Sequence, residues 1–329
     1  MFGFVISLDF SIMPFIGLFL CVILGVFSLA LGGHLLTHGA IQVSNYFGIS
    51  HLFVGLTIVS VATSLPELFT CLNAVRLSPD LALGSIIGSN IANIGLILGI
   101  ISLIMPLKSN IRIVRVELRF LFLLTLIFIF FAYTSSSFNR IEGFFLIVLT
   151  IGYLFWLVRN SLTSSPSNSN EYSDLSTVKP ILLCAIIWII FGSFFLAIGA
   201  DSIVGSAREL SLRFSISESF IGLSIIALGT SLPELVASIS ASLKRKNDLC
   251  LGNIIGSNIF NLSLIGGASA SFFPFVVDAS FIKLEFPLLL IATTLLWLFL
   301  RKENLCIGKV QGIALLTFYI FVMVFISMK

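Results

Sequence analysis

The distribution of apolar residues restricts this chain to one environment. Ten apolar runs are long enough, at about 20 residues each, to cross the hydrocarbon core of a bilayer as helices. We place these spans near residues 13–36, 51–75, 81–104, 116–133, 141–159, 180–203, 217–243, 249–272, 281–300 and 307–327. Only 10% of the 329 residues are charged, against roughly 25% in a soluble domain. The sequence therefore predicts an all-α integral membrane protein with ten transmembrane helices.

A polar segment separates the ten spans into two groups of five. It runs from residue 160 to 179 and is rich in Ser and Asn, which is the composition of a flexible linker. We therefore expect a first half at 1–160, a cytoplasmic linker at 161–179 and a second half at 180–329. The segment is too short to hold a folded soluble domain.

The two halves are related in sequence. Residues 55–67 align with 222–234 at an offset of 167, and residues 84–99 align with 252–267 at an offset of 168. A single inserted residue in the intervening loop accounts for the difference. Because each half has five spans, an odd number, the second half must cross the membrane in the opposite sense. Inverted repeats with broken helices are typical of transporters whose binding site lies at the bilayer midplane.

One five-residue motif occurs in both halves, each time inside an apolar run. Thr63-Ser-Leu-Pro-Glu67 recurs as Thr230-Ser-Leu-Pro-Glu234. An acidic residue at the centre of a spanning helix costs about 2.5–3.5 kcal/mol on insertion scales, so both glutamates need partners. Pro within a helix removes an N–H and frees the carbonyl four residues earlier. Each motif thus offers main-chain, hydroxyl and carboxylate oxygens, the ligands that hard cations prefer.

A second motif follows in the next span of each half. It reads Gly-Ser-Ile-Ile-Gly-Ser-Asn-Ile-Ala-Asn at 84–93 and Gly-Asn-Ile-Ile-Gly-Ser-Asn-Ile-Phe-Asn at 252–261. Small residues let helices approach closely, and Ser or Asn can hydrogen-bond across the interface. Ser89 and Asn93 share one helix face at a spacing of four, as do Ser257 and Asn261. We expect four short polar faces, two from each half, to converge on one cavity.

Basic residues are distributed unequally between the two predicted sides of the membrane. One side collects 12 of the 18 Lys and Arg residues and the other collects 6. By the positive-inside rule the richer side is cytoplasmic, which places both termini outside in a bacterial-type inner membrane. The Lys-Arg-Lys cluster at 244–246 is most simply part of this orientation signal. Binding of lipid head groups is the more specific alternative.

The two repeated motifs closely resemble the alpha repeats of the sodium/calcium exchanger family, within the cation/calcium exchanger superfamily. The resemblance covers residues 29–104 and 196–267. It implies two inverted five-helix repeats with broken helices at the midplane, and exchange of Ca²⁺ for Na⁺ by alternating access without a resident cofactor. It also implies a set of cation ligands: the carboxylates of Glu67 and Glu234, hydroxyl or carbonyl oxygens of Thr63, Ser64, Thr230 and Ser231, the main-chain carbonyls of Ser60 and Ala227, and the side chains of Ser89, Asn93, Ser257 and Asn261.

The charge of the predicted site departs from the family pattern. At Asn261 several family members carry Asp, so this chain offers two carboxylates where theirs offers three. Two carboxylates balance one Ca²⁺ or two Na⁺, which leaves the ion stoichiometry open. His34 also stands where the second half has Asp201, and the family usually has Asp at both places.

The first half departs from the pattern at two further positions. It has Ala62 and Ser85 where the family favours Gly and Asn. The second half retains Gly229 and Asn253 at the equivalent positions.

Other functions fit the sequence less well. The closest alternative is a Ca²⁺/H⁺ exchanger on the same scaffold, in which the glutamates take up the counter-proton. A cation channel would conduct without counter-ion coupling. An enzyme is not expected, because there is no His-Glu-x-x-His pair and all three histidines lie in the first 51 residues. The expected partners are Ca²⁺ and Na⁺ as transported ions and membrane lipid, without nucleic acid, and the oligomeric state stays open.

The buried glutamates also have a plainer interpretation. Glu67 and Glu234 could be protonated carboxyl groups that only hold helices together. We favour ion binding, because ionisable residues within a membrane are functional by default and these two are related by the repeat.

Overall fold

The fold consists of membrane-length helices. The computed structural model describes residues 9–108, 111–163, 182–214, 227–301 and 306–327. Within these residues the helices are α1 Phe15–Phe47, α2 51–77, α3 Pro79–Ile104, α4 Ile111–Ser135, α5 Arg140–Thr163, α6 Leu182–Arg213, α7 in two parts Ala227–Thr230 and Leu232–Leu243, α8 Asn247–Phe272, α9 Phe281–Arg301 and α10 Lys309–Ser327. Nine of them are long and apolar enough to cross a membrane, and the described part of α7 is shorter. The predicted multi-pass helical membrane fold is confirmed.

Local sequence signals set the helix ends. Helix α1 ends at Gly48, whose φ of 65° is the left-handed conformation that glycine adopts readily. Ser50 caps the next helix by accepting a hydrogen bond from Phe53 N at 3.2 Å. Helix α5 opens with a reciprocal capping box, in which Asn139 Oδ1 accepts from Glu142 N and Glu142 Oε2 accepts from Asn139 N, both at 2.9 Å.

The predicted linker falls largely outside the described residues. Helix α5 continues to Thr163, so its last turn covers the first residues of the segment predicted at 161–179. Residues 164–181 lie outside the described part of the chain. The proposed division into two domains therefore stays a prediction.

Two short β-ribbons display the inverted repeat. Strand β1 Leu107–Lys108 pairs antiparallel with β4 Cys306–Ile307, and β2 Ser137–Phe138 pairs antiparallel with β3 Phe275–Val276. Strand β3 is the counterpart of β1 at the offset of 168 residues. Each ribbon thus joins a loop of one half to a loop of the other half, one on each face of the helical bundle.

Helices α1 and α6 form a tightly packed pair. A Cβ placed on Gly32 would lie 2.8 Å from Gly192 O, and one on Gly199 would lie 2.7 Å from Gly25 O. These four glycines are two equivalent pairs at the offset of 167 residues. Close approach of two helix backbones through small residues is the membrane mode of helix packing. The pair therefore behaves as one unit of the fold, built from one long helix of each half.

The remaining helices of the repeats form the core, and the α1–α6 pair packs against it. In α8, 94% of the most apolar 18-residue window is buried, and in α3 the figure is 78%, whereas in α1 and α6 it is 22%. Helices α2 and α8 meet at Gly55 and Gly252, where a Cβ on Gly55 would lie 3.0 Å from Gly252 Cα. The most buried helices are thus those that carry the repeated motifs.

Irregular turns interrupt the helices near these motifs. Five-residue π-helical segments occur at Gly55–Val59, Asn93–Ile97, Asn261–Ile265 and Phe281–Glu285. Two of them begin at the equivalent residues Asn93 and Asn261. Such segments are rare and are frequent at functional sites.

The two proline motifs are accommodated differently. Helix α7 stops at Thr230 and restarts at Leu232, so Pro233 lies in the first turn of a new helix. Helix α2 instead continues through Pro66, and its irregular turn is the π segment Gly55–Val59. The break predicted from the motif thus coincides with a helix break only in the second half.

Candidate cation-binding site

Two buried glutamates lie at the centre of the molecule. Glu67 on α2 is 2% exposed and Glu234 on α7 is 0% exposed. The two carboxyl groups are close enough to repel each other when both are ionised. Both Glu67 oxygens and Glu234 Oε2 have no hydrogen-bond partner among the described residues. A buried carboxylate with free lone pairs is costly unless a cation or proton satisfies it.

The second half of the site is held by hydrogen bonds. Ser64 Oγ donates to Glu234 Oε1 at 3.0 Å. Thr63 Oγ1 donates to Asn253 Oδ1 at 3.3 Å, and Asn253 Nδ2 donates to Ser238 Oγ at 2.9 Å and to Glu234 O at 3.4 Å. Asn253 therefore ties α2, α7 and α8 together beside the carboxylate.

Helices α3 and α8 bring the Ser and Asn side chains to the same region. Ser89 Oγ lies 3.3 Å from Thr230 Oγ1, and Asn93 Nδ2 donates to Asn258 Oδ1 at 3.2 Å. Several buried polar atoms beside them have no partner within the described part of the chain: Asn93 Oδ1, Ser231 Oγ, Ser257 Oγ, and Oδ1 and Nδ2 of Asn261. Most buried polar groups in proteins are hydrogen-bonded, so this concentration of unpaired polar atoms defines the candidate site.

The remaining two predicted ligands are main-chain carbonyls. Ser60 is fully buried, and its carbonyl accepts a hydrogen bond from Thr63 Oγ1 at 3.3 Å. Ala227 is the first residue of the short helix at the start of α7, and its side chain lies outside the described set. The structure thus links Thr63, Ser64 and Ser89 to the opposite half by hydrogen bonds, and it buries the other polar members nearby.

Sequence reasoning missed two residues of the site. The sequence identified Asn253 only as a position where the two halves differ, and it identified Asn258 only as one residue of the repeated motif. Asn253 has three polar partners, and Asn258 accepts from Asn93. The available signal was the unequal pair Asn253 and Ser85, because a serine is too short to bridge the same three groups.

A cavity lies beside the site. Its volume is about 240 Å³, and residues of α2, α6 and α7 line it, including Pro66, Asn73, Asp201, Val204 and Thr230. Asp201 Oδ1 is buried and has no partner among the described residues. Because Thr230 lines both the cavity and the site, the cavity provides a path toward the glutamates from the side of the α2 C-terminus.

The opposite side is closed by contacts between α1 and α7. Thr37 Oγ1 lies 2.8 Å from Ser240 Oγ. The Lys244 ammonium donates to His34 O at 2.9 Å and to Thr37 Oγ1 at 2.8 Å. Partial burial lowers the pKa of Lys244 to about 8. Lys244, interpreted from sequence as a topology signal, is therefore also a link between the α1–α6 pair and the core.

These observations define a class of protein. A buried all-oxygen site between two inverted repeats, with a cavity on one side and packed helices on the other, is the architecture of a secondary transporter. The profile of the sodium/calcium exchanger protein family matches residues 17–159 and 184–328. The chain belongs to this family and is a cation/calcium exchanger, a transporter and not an enzyme.

Individual relatives match along nearly the whole chain. The putative antiporter CaxA of Alkalimonas amylolytica is 33% identical over 308 residues, covering 91% of this chain and 95% of the relative. The sodium/calcium exchanger MaX1 of Methanosarcina acetivorans is 28% identical over 346 residues, with coverage of 92% and 96%. A solved structure of the sodium-calcium exchanger NCX_Mj superimposes with a TM-score of 0.82 at 29% identity, covering 94% of this chain and 99% of that chain.

Proposed function

We propose that this protein exchanges Ca²⁺ for Na⁺ across the membrane, with Glu67 and Glu234 as the central cation ligands. The observation that carries the proposal is the pair of fully buried carboxyl groups with three unpartnered oxygens. Around them lie hydroxyl and amide oxygens, which hard cations accept as ligands. MaX1 is named a sodium/calcium exchanger, and NCX_Mj structures were obtained with Na⁺ and Ca²⁺.

The proposed ligands are those predicted from the motifs. Besides the two carboxylates they comprise Thr63, Ser64, Ser89, Asn93, Thr230, Ser231, Ser257 and Asn261 as side chains, and Ser60 and Ala227 as main-chain carbonyls. Because Asn261 is neutral, the fixed charge of the site is −2 when both glutamates are ionised. One Ca²⁺ or two Na⁺ neutralise this charge, so the two ions compete for overlapping oxygens.

Alternating access would arise from movement of the α1–α6 pair along the core. In the present state Thr37 of α1 contacts Ser240 of α7. The equivalent residues at the offset of 167 are Val204 of α6 and Asn73 of α2, which both line the cavity. Closing the cavity would bring this second pair together while the first pair separates. Ion binding drives the shift only through its different affinity for the two states.

Cysteine pairs test this movement. In a background without the five native cysteines, we expect Thr37→Cys with Ser240→Cys to cross-link in the present state and to block transport. We expect Asn73→Cys with Val204→Cys to cross-link only when the cavity has closed. Equal cross-linking of both pairs under all ion conditions would contradict the movement.

Transport itself is tested by ⁴⁵Ca uptake into proteoliposomes loaded with Na⁺. We expect uptake that requires the outward Na⁺ gradient and disappears in Glu234→Gln. The matched control is Glu142→Gln, which removes a carboxylate that caps α5 far from the site. Uptake that survives in Glu234→Gln, or that needs no counter-ion, would refute the proposed mechanism.

A proton is the alternative counter-ion. Two neighbouring buried carboxyl groups can share a proton in place of sodium, and Glu67 and Glu234 are such a pair. Proteoliposomes loaded with K⁺ and given a pH gradient separate the two cases. Calcium uptake driven by the pH gradient alone would assign Ca²⁺/H⁺ exchange.

The orientation in the membrane is proposed on charge. Placing the side of Lys244 in the cytoplasm puts 12 of the 18 basic residues there and both termini outside. Labelling of a single cysteine introduced at Arg140, on the opposite face, by a membrane-impermeant reagent on whole cells tests this orientation in a bacterial inner membrane.

A further inference from the structure

A second cavity lies away from the cation site, between α4 of the first half and α9 of the second. Its volume is about 310 Å³, and its lining residues are Leu118, Arg119, Trp297, Leu300 and Arg301. This volume is at the lower end of the range of about 300–1,000 Å³ found for ligand sites. We propose that this cavity binds the phosphate of an anionic glycerophospholipid.

The cavity combines charge with an apolar floor. Arg119 and Arg301 are exposed, whereas Leu118 and Leu300 beneath them are buried. Guanidinium groups form paired hydrogen bonds to phosphate oxygens, and two of them can hold one phosphate from both sides. A phosphate ester attached to apolar chains matches this arrangement of charge above leucine side chains.

An aromatic residue fixes one of the two guanidinium groups. The Arg301 guanidinium carbon lies 5.0 Å from the centre of the Trp297 ring, a cation–π distance. Trp297 is itself stacked on Phe122 of α4, with 6.1 Å between ring centroids. The cationic group is therefore oriented by the Trp297 ring, which Phe122 in turn holds in place, and tryptophan is enriched at the level of lipid head groups.

The nearest described acid does not neutralise the cavity. Glu117 precedes the lining residues by one position but is 1% exposed and accepts a hydrogen bond from Tyr153 of α5. Its carboxyl group therefore faces the interior of the bundle and not Arg119 or Arg301. The same end of the molecule is basic in sequence, since 108–119 and 301–309 together contain seven Lys or Arg and two Glu.

The location of the cavity fits a lipid better than a free ion. The β1–β4 ribbon lies at this end of α4 and α9, so the cavity is at the level where helices leave the membrane. Toward the middle of the bilayer, α4 and α9 expose Leu123, Ile291 and Leu298, along which acyl chains can lie. Basic pockets between spanning helices on the cytoplasmic side are typical head-group sites.

The test compares dioctanoyl phosphatidylglycerol, dioctanoyl phosphatidylcholine and inorganic phosphate, each added to the delipidated full chain in neutral detergent. We expect a saturable rise in melting temperature with phosphatidylglycerol only, because a ligand of the folded state stabilises it in proportion to its occupancy. In Arg119→Gln/Arg301→Gln we expect the apparent affinity to fall about tenfold or more, since both charged donors are gone. The control Lys108→Gln/Lys309→Gln removes two exposed charges of the same face outside the cavity and should keep the effect.

A second readout avoids dependence on the stability of the variants. In a Trp156→Phe/Trp188→Phe background Trp297 is the sole tryptophan, and brominated phosphatidylglycerol should quench it more than brominated phosphatidylcholine does. Equal quenching by both lipids, or an unchanged phosphatidylglycerol effect in the double arginine variant, would refute the site. An equal temperature shift with inorganic phosphate would assign a free anion and refute the lipid.

Discussion

The two halves of the cation site share one motif but are held differently. Glu234 accepts a hydrogen bond from Ser64, and its helix is fixed by Asn253. The equivalent contact from Ser231 to Glu67 is missing, since Ser231 Oγ and both Glu67 oxygens have no partner among the described residues. One carboxylate thus has a side-chain partner within the protein, and the proposed cation would supply the partner of the other.

The difference begins at residues that break the repeat. Asn253 reaches three polar partners, whereas its counterpart Ser85 has a shorter side chain with a single polar atom. Likewise a Cβ on Gly229 would meet the side chain of Val204, while the counterpart Ala62 carries that methyl group and lines the cavity. Small changes of side-chain length within an inverted repeat therefore give two halves that differ in hydrogen bonding and packing.

The largest expected effect comes from neutralising the glutamates. Glu67→Gln and Glu234→Gln should each lower ⁴⁵Ca uptake by about 100-fold or more, because ligand charge sets calcium affinity over several orders of magnitude. Their melting temperatures without ions should differ, since Glu67→Gln removes an unpartnered buried charge and Glu234→Gln disturbs a hydrogen-bonded one. We expect the first variant to melt above the wild type and above the second. Identical shifts for both would remove the proposed difference between the halves.

The next effect concerns Asn253. Asn253→Ser should lower the free energy of unfolding by about 1–3 kcal/mol, because Thr63 and Ser238 lose buried hydrogen-bond partners. The matched change in the first half, Ser85→Ala, should cost less than about 1 kcal/mol, as for most changes that leave no buried group unpaired. Thermal melting in detergent measures both, and a Ser85→Ala cost equal to that of Asn253→Ser would contradict the comparison.

The third effect concerns the small residues of the motif. Gly229→Ala should cost about 1–2 kcal/mol, because the added methyl group overlaps Val204 in a packed interface. The reverse change Ala62→Gly should cost about 0.5–1 kcal/mol through helix propensity alone. Val204→Ala should restore the stability of Gly229→Ala but should not help Ala62→Gly. Failure of this rescue would show that the close approach to Val204 is not the cause.

The smallest expected effect is a pH dependence at Lys244. Its folded-state pKa of about 8 is below the roughly 10.4 of an exposed lysine, so the unfolded chain binds more protons between these values. Stability should therefore rise with pH from about 8 to 10.4, by less than about 1 kcal/mol because the group is half exposed. His34 and His38 of α1 face the same region. Lys244→Gln identifies the group, since the slope should vanish in this variant and should persist if another residue is responsible.

The sequence was sufficient for the scaffold, and its two repeated motifs contain the polar residues of the candidate site except for the roles of Asn253 and Asn258. Apolar runs located the spans, and the offsets of 167 and 168 predicted both the inverted repeat and the extra residue between α7 and α8. One residue, Ser78, separates α2 from α3, whereas three residues, 244–246, separate α7 from α8, because α7 ends one residue before the position equivalent to the end of α2 and one residue is inserted. Spans and repeats can be recognised in the sequence because every spanning helix must meet the same physical constraints of the bilayer.

The sequence was insufficient wherever a contact joins residues far apart in the chain. Asn253 and Thr63 are hydrogen-bonded although they lie 190 positions apart in the sequence. No local pattern around either residue predicts this contact. The π-helical segments were also not predicted, because a five-residue turn has no characteristic amino-acid composition. The buried hydrogen bond between Glu117 and Tyr153 was not predicted either. Glu117 lies in a segment whose other charged residues are basic and are typical of a helix end at the membrane surface.

The link from Lys244 to α1 has no lysine counterpart at the equivalent turn of the first half, and this has a kinetic consequence. The first half has Leu77 and Ser78 at the equivalent turn, so closure of the cavity would gain no matching ammonium contact. The Lys244 contact would therefore stabilise the present state relative to the proposed state with a closed cavity. Such a preference leaves the direction of net exchange to the ion gradients, but it lowers the apparent affinity on the disfavoured side by the fraction of time that the protein spends there. An exchanger built from two related halves can in this way respond to different ion concentrations on the two sides of the membrane.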